Sequence, residues 1–311
     1  MKAFVLRDFN EQSAVAEIPT PVVGVGQVLV RVRAASVNGF DLAVAGGMLK
    51  GMMEYAFPVV LGKDFAGVVE AVGEGVTRFA AGESVFGVVS DPSFLNTRSF
   101  AEYVVVPEGP NLTRIPAGVE LAVAGVLGLA GAAAVGAVDA VTPATGEFVL
   151  VSGATGGVGA FAVQLAAARG ATVIATAKPG EDADFVRGLG AAHVVDYTGD
   201  VAAQVRAIRP DGVDALVHLA GDPAHLTGLL APGGRLASTL ITSPDQLGLP
   251  EAQVTAVFAD PEVATLDRLA AEVAAGRLRA PIQRTYALDQ IGQAMADFGA
   301  GTRGKLAVSI A

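Results

Sequence analysis

Between Gln27 and Val37 the sequence QVLVRVRAASV alternates apolar and polar positions, the pattern of a strand with one buried face. FAGVVEAVG and ESVFGVV repeat that character, with Gly62, Gly67, Gly73, Gly75 and Gly82 as punctuation, and FAEYVVVP (Phe100–Pro107) is a further strand closed by proline. This part predicts an antiparallel barrel or sandwich. From Glu147 the pattern changes to strands separated by runs with helical spacing. Strands are predicted over Phe148–Ser152, Thr172–Ala177, His193–Val195, Ala215–His218, Arg235–Leu240 and Val254–Phe258. Such alternation predicts right-handed βαβ crossovers and a doubly wound parallel sheet, an α/β fold. The tail adds a helix (Pro261–Gly276), a strand (Ile282–Tyr286), a helix (Asp289–Phe298) and a strand (Lys305–Ile310). These changes divide the chain into a β-rich domain over residues 1–117, completed by 260–311, and a parallel-sheet domain over 118–259.

One run tests the membrane alternative. Leu121–Val138 holds 18 residues without a charge, at the edge of spanning length. Most are Ala and Gly, which give little drive into lipid, and Glu120 and Asp139 bound the run. A buried helix or helix pair is expected instead.

Composition narrows the classes. At 311 residues, 52% hydrophobic and 17% charged, the chain is long enough for two cores and too apolar for general disorder. A net charge of −10 argues against a nucleic-acid groove. The absence of cysteine excludes disulfides, thiolate zinc sites and cysteine nucleophiles. The N-terminal stretch carries Arg7 and Asp8 and no long apolar run, so a cytoplasmic protein is expected.

The first strand of the alternating part runs into glycines: VLVSGATGGVGAFAVQLAAARGATVIATAKPG, Val149–Gly180. Ala154, Gly156 and Gly159 fit the G-x-G-x-x-G/A spacing with alanine first, while Gly153, Gly156 and Gly159 lie three apart. In this strand–turn–helix context one glycine allows the turn, one admits pyrophosphate oxygens to the backbone, and one lets helix and sheet approach. The alternative is a tight turn alone. As a cofactor loop, Gly153, Ala154, Gly156, Gly157, Val158 and Gly159 would hold the pyrophosphate at a helix N-terminus. Sites selective for NAD place an acid at the end of the second strand, about twenty residues on. Here that tip carries Lys178, a partner for a 2′-phosphate, so NADPH is expected; a solvated surface lysine is the plainer reading. Glu181 and Asp182 suit the first turn of the next helix. Leu240, at the end of its strand, joins the expected cofactor set.

With these residues in place the chain resembles the zinc-independent quinone oxidoreductase branch of the medium-chain dehydrogenase/reductase superfamily. The resemblance runs through VLGKDFAGVVEAVGEGVTRFAAGESVFG (Val60–Gly87), SGATGGVGAFAVQLAAARGA, LGAAHVVDY (Leu189–Tyr197), LAPGGRLAS (Leu230–Ser238) and GTRGKLAVSI (Gly301–Ile310), in that order. It implies a GroES-like domain beside a Rossmann domain, and a homodimer joined through its Rossmann sheets. It also implies that Lys178 and Tyr197 lie near the 2′-phosphate, with Arg303 or Lys305 contributed by the tail. There are departures. Lys63 and Asp64 stand where zinc-dependent relatives carry a ligand histidine, and no metal site is expected. VNGFDLAVAGGML lacks the tyrosines often found there, and Ala130 replaces a common threonine.

The chemistry that fits is hydride delivery from NADPH to a quinone or to the activated C=C of an enone, small molecules whose developing oxyanion a few donors can hold. Candidate catalytic residues are Asn38, Asp41, Tyr55 and Lys63. Each has a plainer reading: a turn at Asn38–Gly39, a helix cap at Asp41, a packing tyrosine, and a loop held by Lys63 with Asp64. Two alternatives to a general reductase are an NADPH-binding sensor or structural protein without turnover, and a pathway-specific tailoring reductase.

Overall fold

In the computed structural model the described residues are 1–9, 11–52, 55, 57–90 and 98–311. Two units emerge: Met1–Leu129 together with Pro261–Ala311, and Ala130–Asp260.

In the first unit, β1 (Lys2–Leu6) pairs antiparallel with β2 (Ala14–Glu17) and β4 (Val59–Val60). The alternating run forms β3 (Gln27–Ser36), whose Val28, Val30 and Val32 point inward and are fully buried. Each such side chain contributes about 1.5–3 kcal/mol of burial free energy. β3 lies within a larger sheet with β5 (Asp64–Val72), β6 (Ser84–Val88), β7 (Tyr103–Pro107) and β8 (Leu112–Arg114). The alternation stops at its end, where Ala34, Ala35 and Ser36 are all buried. There Ala34–Ser36 of β3 pair with the late strand β16 (Lys305–Ser309) on one side and with β5 on the other, and β15 (Ile282–Ala287) extends the sheet beyond β16. Ser36 is thereby drawn inside. The helices of this unit are α1 (Gly39–Ala45), α2 (Leu121–Ala124), α8 (Val263–Ala274) and α9 (Ile291–Gly299). The last two begin two residues later than Pro261 and Asp289 suggest, with Glu262 and Gln290 at their caps.

The uncharged run is a helix pair. α2 ends at Gly125, where a Cβ would come within 2.8 Å of the Ala34 methyl, and α3 (Gly128–Val141) restarts after a short turn. Among the described residues no helix is long and apolar enough to cross a membrane.

The second unit is a six-stranded sheet in the order β11-β10-β9-β12-β13-β14, parallel at every pairing. Its strands are β9 (Phe148–Val151), β10 (Thr172–Thr176), β11 (His193–Val195), β12 (Val213–His218), β13 (Leu230–Ser238) and β14 (Gln253–Ala256). The crossovers run through α4 (Gly157–Ala168), α5 (Glu181–Arg187), α6 (Val201–Ile208) and α7 (Pro223–Thr227). Leu150, Ile174 and Leu216 fill its centre. Strand order reverses between β9 and β12, the switch point at which open α/β sheets bind ligands. β13 corrects the sequence reading: it begins at Leu230, with Leu230 on Val213 and then Arg235 on Ala215, so the Gly233–Gly234 stretch bulges out of register. It ends at Ser238, which puts Leu240 beyond the strand, 56% exposed.

Candidate functional site

A cleft of about 630 Å³ opens at the switch point, lined in part by Ser152 and Gly153 after β9, Thr176 at the tip of β10, and Ala220 and Gly221 after β12. Side-chain hydroxyls and one imidazole fix these tips. The Thr176 hydroxyl accepts from the Gly153 N–H at 3.0 Å, and Ser152 Oγ accepts from the N–H groups of Leu219 and Ala220 at 3.0 and 3.4 Å. His218, fully buried, lies 3.1 Å through Nε2 from the Gly221 carbonyl and 2.9 Å through Nδ1 from Ser238 Oγ. A carbonyl only accepts, so Nε2 carries the proton and the Ser238 hydroxyl donates to Nδ1. Burial pushes the His218 pKa down and favours this neutral ring.

The glycine loop has the geometry its spacing requires. Gly153 takes φ +65°, and its carbonyl lies where a Cβ on Gly159 would come within 2.2 Å, so only glycine lets α4 sit this close. Gly156 caps α4, and its own missing Cβ would meet nothing nearer than the Gly153 oxygen at 3.5 Å. Gly157 and Val158 form the first turn, whose N–H groups have no acceptor inside the helix. Ala154 is fully buried, so only its backbone belongs to the loop. This donor set at a helix N-terminus, beside an open cleft, fits a dinucleotide pyrophosphate.

Lys178 and Tyr197 come together. The exposed Lys178 ammonium lies 5.6 Å from the centre of the Tyr197 ring, which is 48% exposed and lines the cleft. The Asp196 carboxylate, held low mainly by the N–H and hydroxyl of Thr198, also feels the Lys178 charge.

The other candidates belong to the first unit. Asp64 is the hub of a buried cluster: it accepts from Ser36 Oγ at 2.6 Å, Asn38 Nδ2 at 2.9 Å and the Leu129 N–H at 2.7 Å. Lys305 stands 3.6 Å from the same carboxylate and donates to Asn38 Oδ1 at 2.6 Å and the Val37 carbonyl at 3.2 Å. The tail lysine expected at the 2′-phosphate is thus only 2% exposed, its ammonium surrounded by oxygens that compensate its desolvation. Arg303 is half-buried just before β16, its N–H donating to Gln283 Oε1. Asn38 caps α1, and the Asp41 carboxylate in its first turn accepts from the Asn38 and Gly62 N–H groups at 2.9 and 3.2 Å. Burial pushes the Asp41 pKa up to about 7, with the nearby Asp64 adding to it. Tyr55 donates to the Val44 carbonyl at 3.3 Å and packs edge-on against Phe9. Lys63 is half-buried with its ammonium 4.3 Å from the Phe40 ring centre, its pKa pushed down by burial and then by Arg98.

Sequence reasoning passed over Ser152, Thr176, His218 and Ser238 in the second unit, and Arg98 in the first. Ser152 closes a predicted strand, and Thr176 and Ser238 lie one and two residues before the end of one, a usable signal; Arg98 offered none. A zinc ion does not fit the donors. The chain has no cysteine, His193 stacks near Phe148, His225 pairs with Asp222, and His218 is hydrogen-bonded through both nitrogens. Among the described residues no group of three His, Asp or Glu side chains is arranged to hold a metal.

Residues 24–117 match the family model of the alcohol dehydrogenase GroES-like domain, and residues 189–308 that of zinc-binding dehydrogenase. The chloroplast envelope quinone oxidoreductase homolog of Arabidopsis thaliana is 32% identical over 209 residues, which span 66% of this chain and 62% of that protein. The NADPH-dependent alkenal/one oxidoreductase of the same plant is 30% identical over 245 residues, 76% of this chain and again 62% of the relative. The chain therefore spans about three fifths of the length of both. The quinone oxidoreductase structure from Coxiella burnetii superimposes with a TM-score of 0.90 at 27% identity, over 100% of this chain and 99% of that one. Two family domains in the right order, quinone oxidoreductase relatives and a fold shared from end to end agree: the chain belongs to the quinone oxidoreductase branch of the medium-chain dehydrogenase/reductase superfamily.

Proposed function

We propose that this chain is an NADPH-dependent oxidoreductase, working without a metal ion, that reduces a quinone or the activated C=C of an enone. The observation that carries the reading is the Lys178–Tyr197 pair beside the glycine loop, a cation where an NAD-selective site has an acid. The NADPH dependence of the alkenal/one oxidoreductase relative supports the same choice. In this reading the N–H groups of Gly157 and Val158 hold the pyrophosphate, Lys178 pairs with the 2′-phosphate, and Tyr197 covers the adenosine side of the cleft. Thr176, Ser152 and His218 hold the strand tips so that these donors need no rearrangement. When bound, the reduced nicotinamide supplies hydride to the acceptor carbon, and the acceptor oxygen then takes a proton from water or a side chain. Asn38 and Asp41 build the first unit's polar cluster, and Tyr55 packs beside it. Edge strand β14, which among the described residues pairs only with β13, is where a second copy would join to form a homodimer.

The test is turnover. The purified chain is mixed with NADPH or NADH and a panel of quinones and enones, and absorbance at the nicotinamide band is followed. NADPH consumption with at least one acceptor class is expected, faster than with NADH. Firm NADPH binding with no turnover across the panel would refute the reductase and leave a cofactor-binding protein.

A further inference from the structure

Two cations share one aromatic ring in the first unit. The Lys63 ammonium lies 4.3 Å, and the Arg98 guanidinium carbon 5.3 Å, from the centre of Phe40. Arg98 is 3% exposed, and its Nε and Nη1 have no acceptor among the described residues. The ring does not settle this balance. A cation on an aromatic face gains about 0.5–2 kcal/mol, whereas burying an ion costs several.

The nearby acids are already engaged. Asp41 accepts from Asn38 and Gly62, and Asp64 accepts from Ser36, Asn38 and Leu129 while facing Lys305. Among the described residues of this cluster Lys63, Arg98 and Lys305 stand against Asp41 and Asp64, and burial holds the proton on Asp41 up to about pH 7, so positive charge is in excess. Neither Lys63 nor Arg98 has a hydrogen-bonded carboxylate among the described residues, and Arg98 Nε and Nη1 have no acceptor there. Burial lowers the pKa of each, and Arg98 lowers that of Lys63 further, a repulsion that an anion beside both would relieve.

We infer that Lys63 and Arg98 form a binding site for a small carboxylate, its oxygens taken by the ammonium and the guanidinium. The two oxygens of a carboxylate match the two cationic groups on the Phe40 ring, one oxygen to each. Phe40 and Tyr55, both half-buried and packed on the core, give its hydrocarbon part an apolar neighbour. A planar acid such as an aromatic or α,β-unsaturated carboxylate fits this chemistry.

Isothermal titration of the full chain with benzoate, trans-2-butenoate and inorganic phosphate tests the site, with no nicotinamide present so that failure of the NADPH reading leaves the result untouched. One-site binding of at least one carboxylate, stronger than phosphate, is expected. Lys63→Met should weaken it by about tenfold or more, the loss of a charge-assisted contact, while Lys63→Arg retains it. Lys63 is only half-buried, so its variants carry the test if Arg98→Met fails to fold; circular dichroism melts confirm that they are folded. No saturable binding of either carboxylate, equal binding by Lys63→Met, or phosphate bound in preference at a Lys63-dependent site would overturn the inference.

Discussion

The Lys305 ammonium stands 3.6 Å from the Asp64 carboxylate, with both side chains at most 2% exposed. A buried pair of this kind is costly to break from one side, because the remaining charge has lost its partner. Lys305→Met should therefore destabilise the chain by about 3–5 kcal/mol. Adding Asp64→Asn should recover part of that loss, since the stranded charge disappears with it. Urea unfolding of the two single variants and the double variant measures the coupling. Strictly additive losses would show that the two groups do not stabilise each other.

Asp41 sets a pH dependence of definite sign. Its folded pKa of about 7 lies above the ordinary 3.8, so the folded state holds the proton more tightly. Its contribution is most favourable below about pH 4, falls as pH rises through the window, and is fully lost above about 7, by ~4 kcal/mol at most. Asp41→Asn should flatten that slope relative to the parent chain. Denaturation midpoints across the window check this, and parallel curves for the two proteins would contradict it.

Gly159→Ala places a methyl group 2.2 Å from the Gly153 carbonyl oxygen and 2.7 Å from the Ala154 Cα, backbone atoms that cannot swing aside. Separation of α4 from β9 should cost about 1–3 kcal/mol, the usual range for overpacking, and weaken dinucleotide binding as the loop moves. A thermal melt with and without NADPH reads both effects. An unchanged melting point would mean that the loop adjusts more easily than this packing allows.

Lys178→Glu should weaken NADPH binding by about 1–3 kcal/mol more than NADH binding, because only the phosphorylated carrier loses a charge-assisted partner and gains a repulsion. Fluorescence titration with both carriers distinguishes the outcomes. Equal losses would detach Lys178 from the 2′-phosphate.

The parallel sheet was legible because its signal is local: short apolar strands, helical runs and glycine turns repeat along the chain. Lys178 was legible for the same reason, since it lies two residues past β10, whose end a count from the glycine loop locates, whereas Tyr197 was expected only through the family resemblance. The polar cluster of the first unit is another matter. Asp64 and Lys305 each open a strand, where charge ordinarily means solvent, and nothing near Lys305 in sequence records that β16 inserts beside β3. β13 was misplaced at its start because APGG signals a turn, and the sheet absorbs those residues as a bulge. Arg98 carries no periodic or motif signal at all; only the folded neighbourhood gives it meaning.

The insertion of β16 between β15 and β3 also orders events during synthesis. A ribosome delivers every residue of Ala130–Asp260 before it makes Lys305, so the nucleotide-fold segment can complete its sheet while the first unit still lacks its closing strand. Until that strand arrives, Ser36, Asn38 and Asp64 have no ammonium to gather around, and the flank of β3 at Ala34–Ser36 is an open edge. The interval between those two moments is when that edge stands open to mispairing.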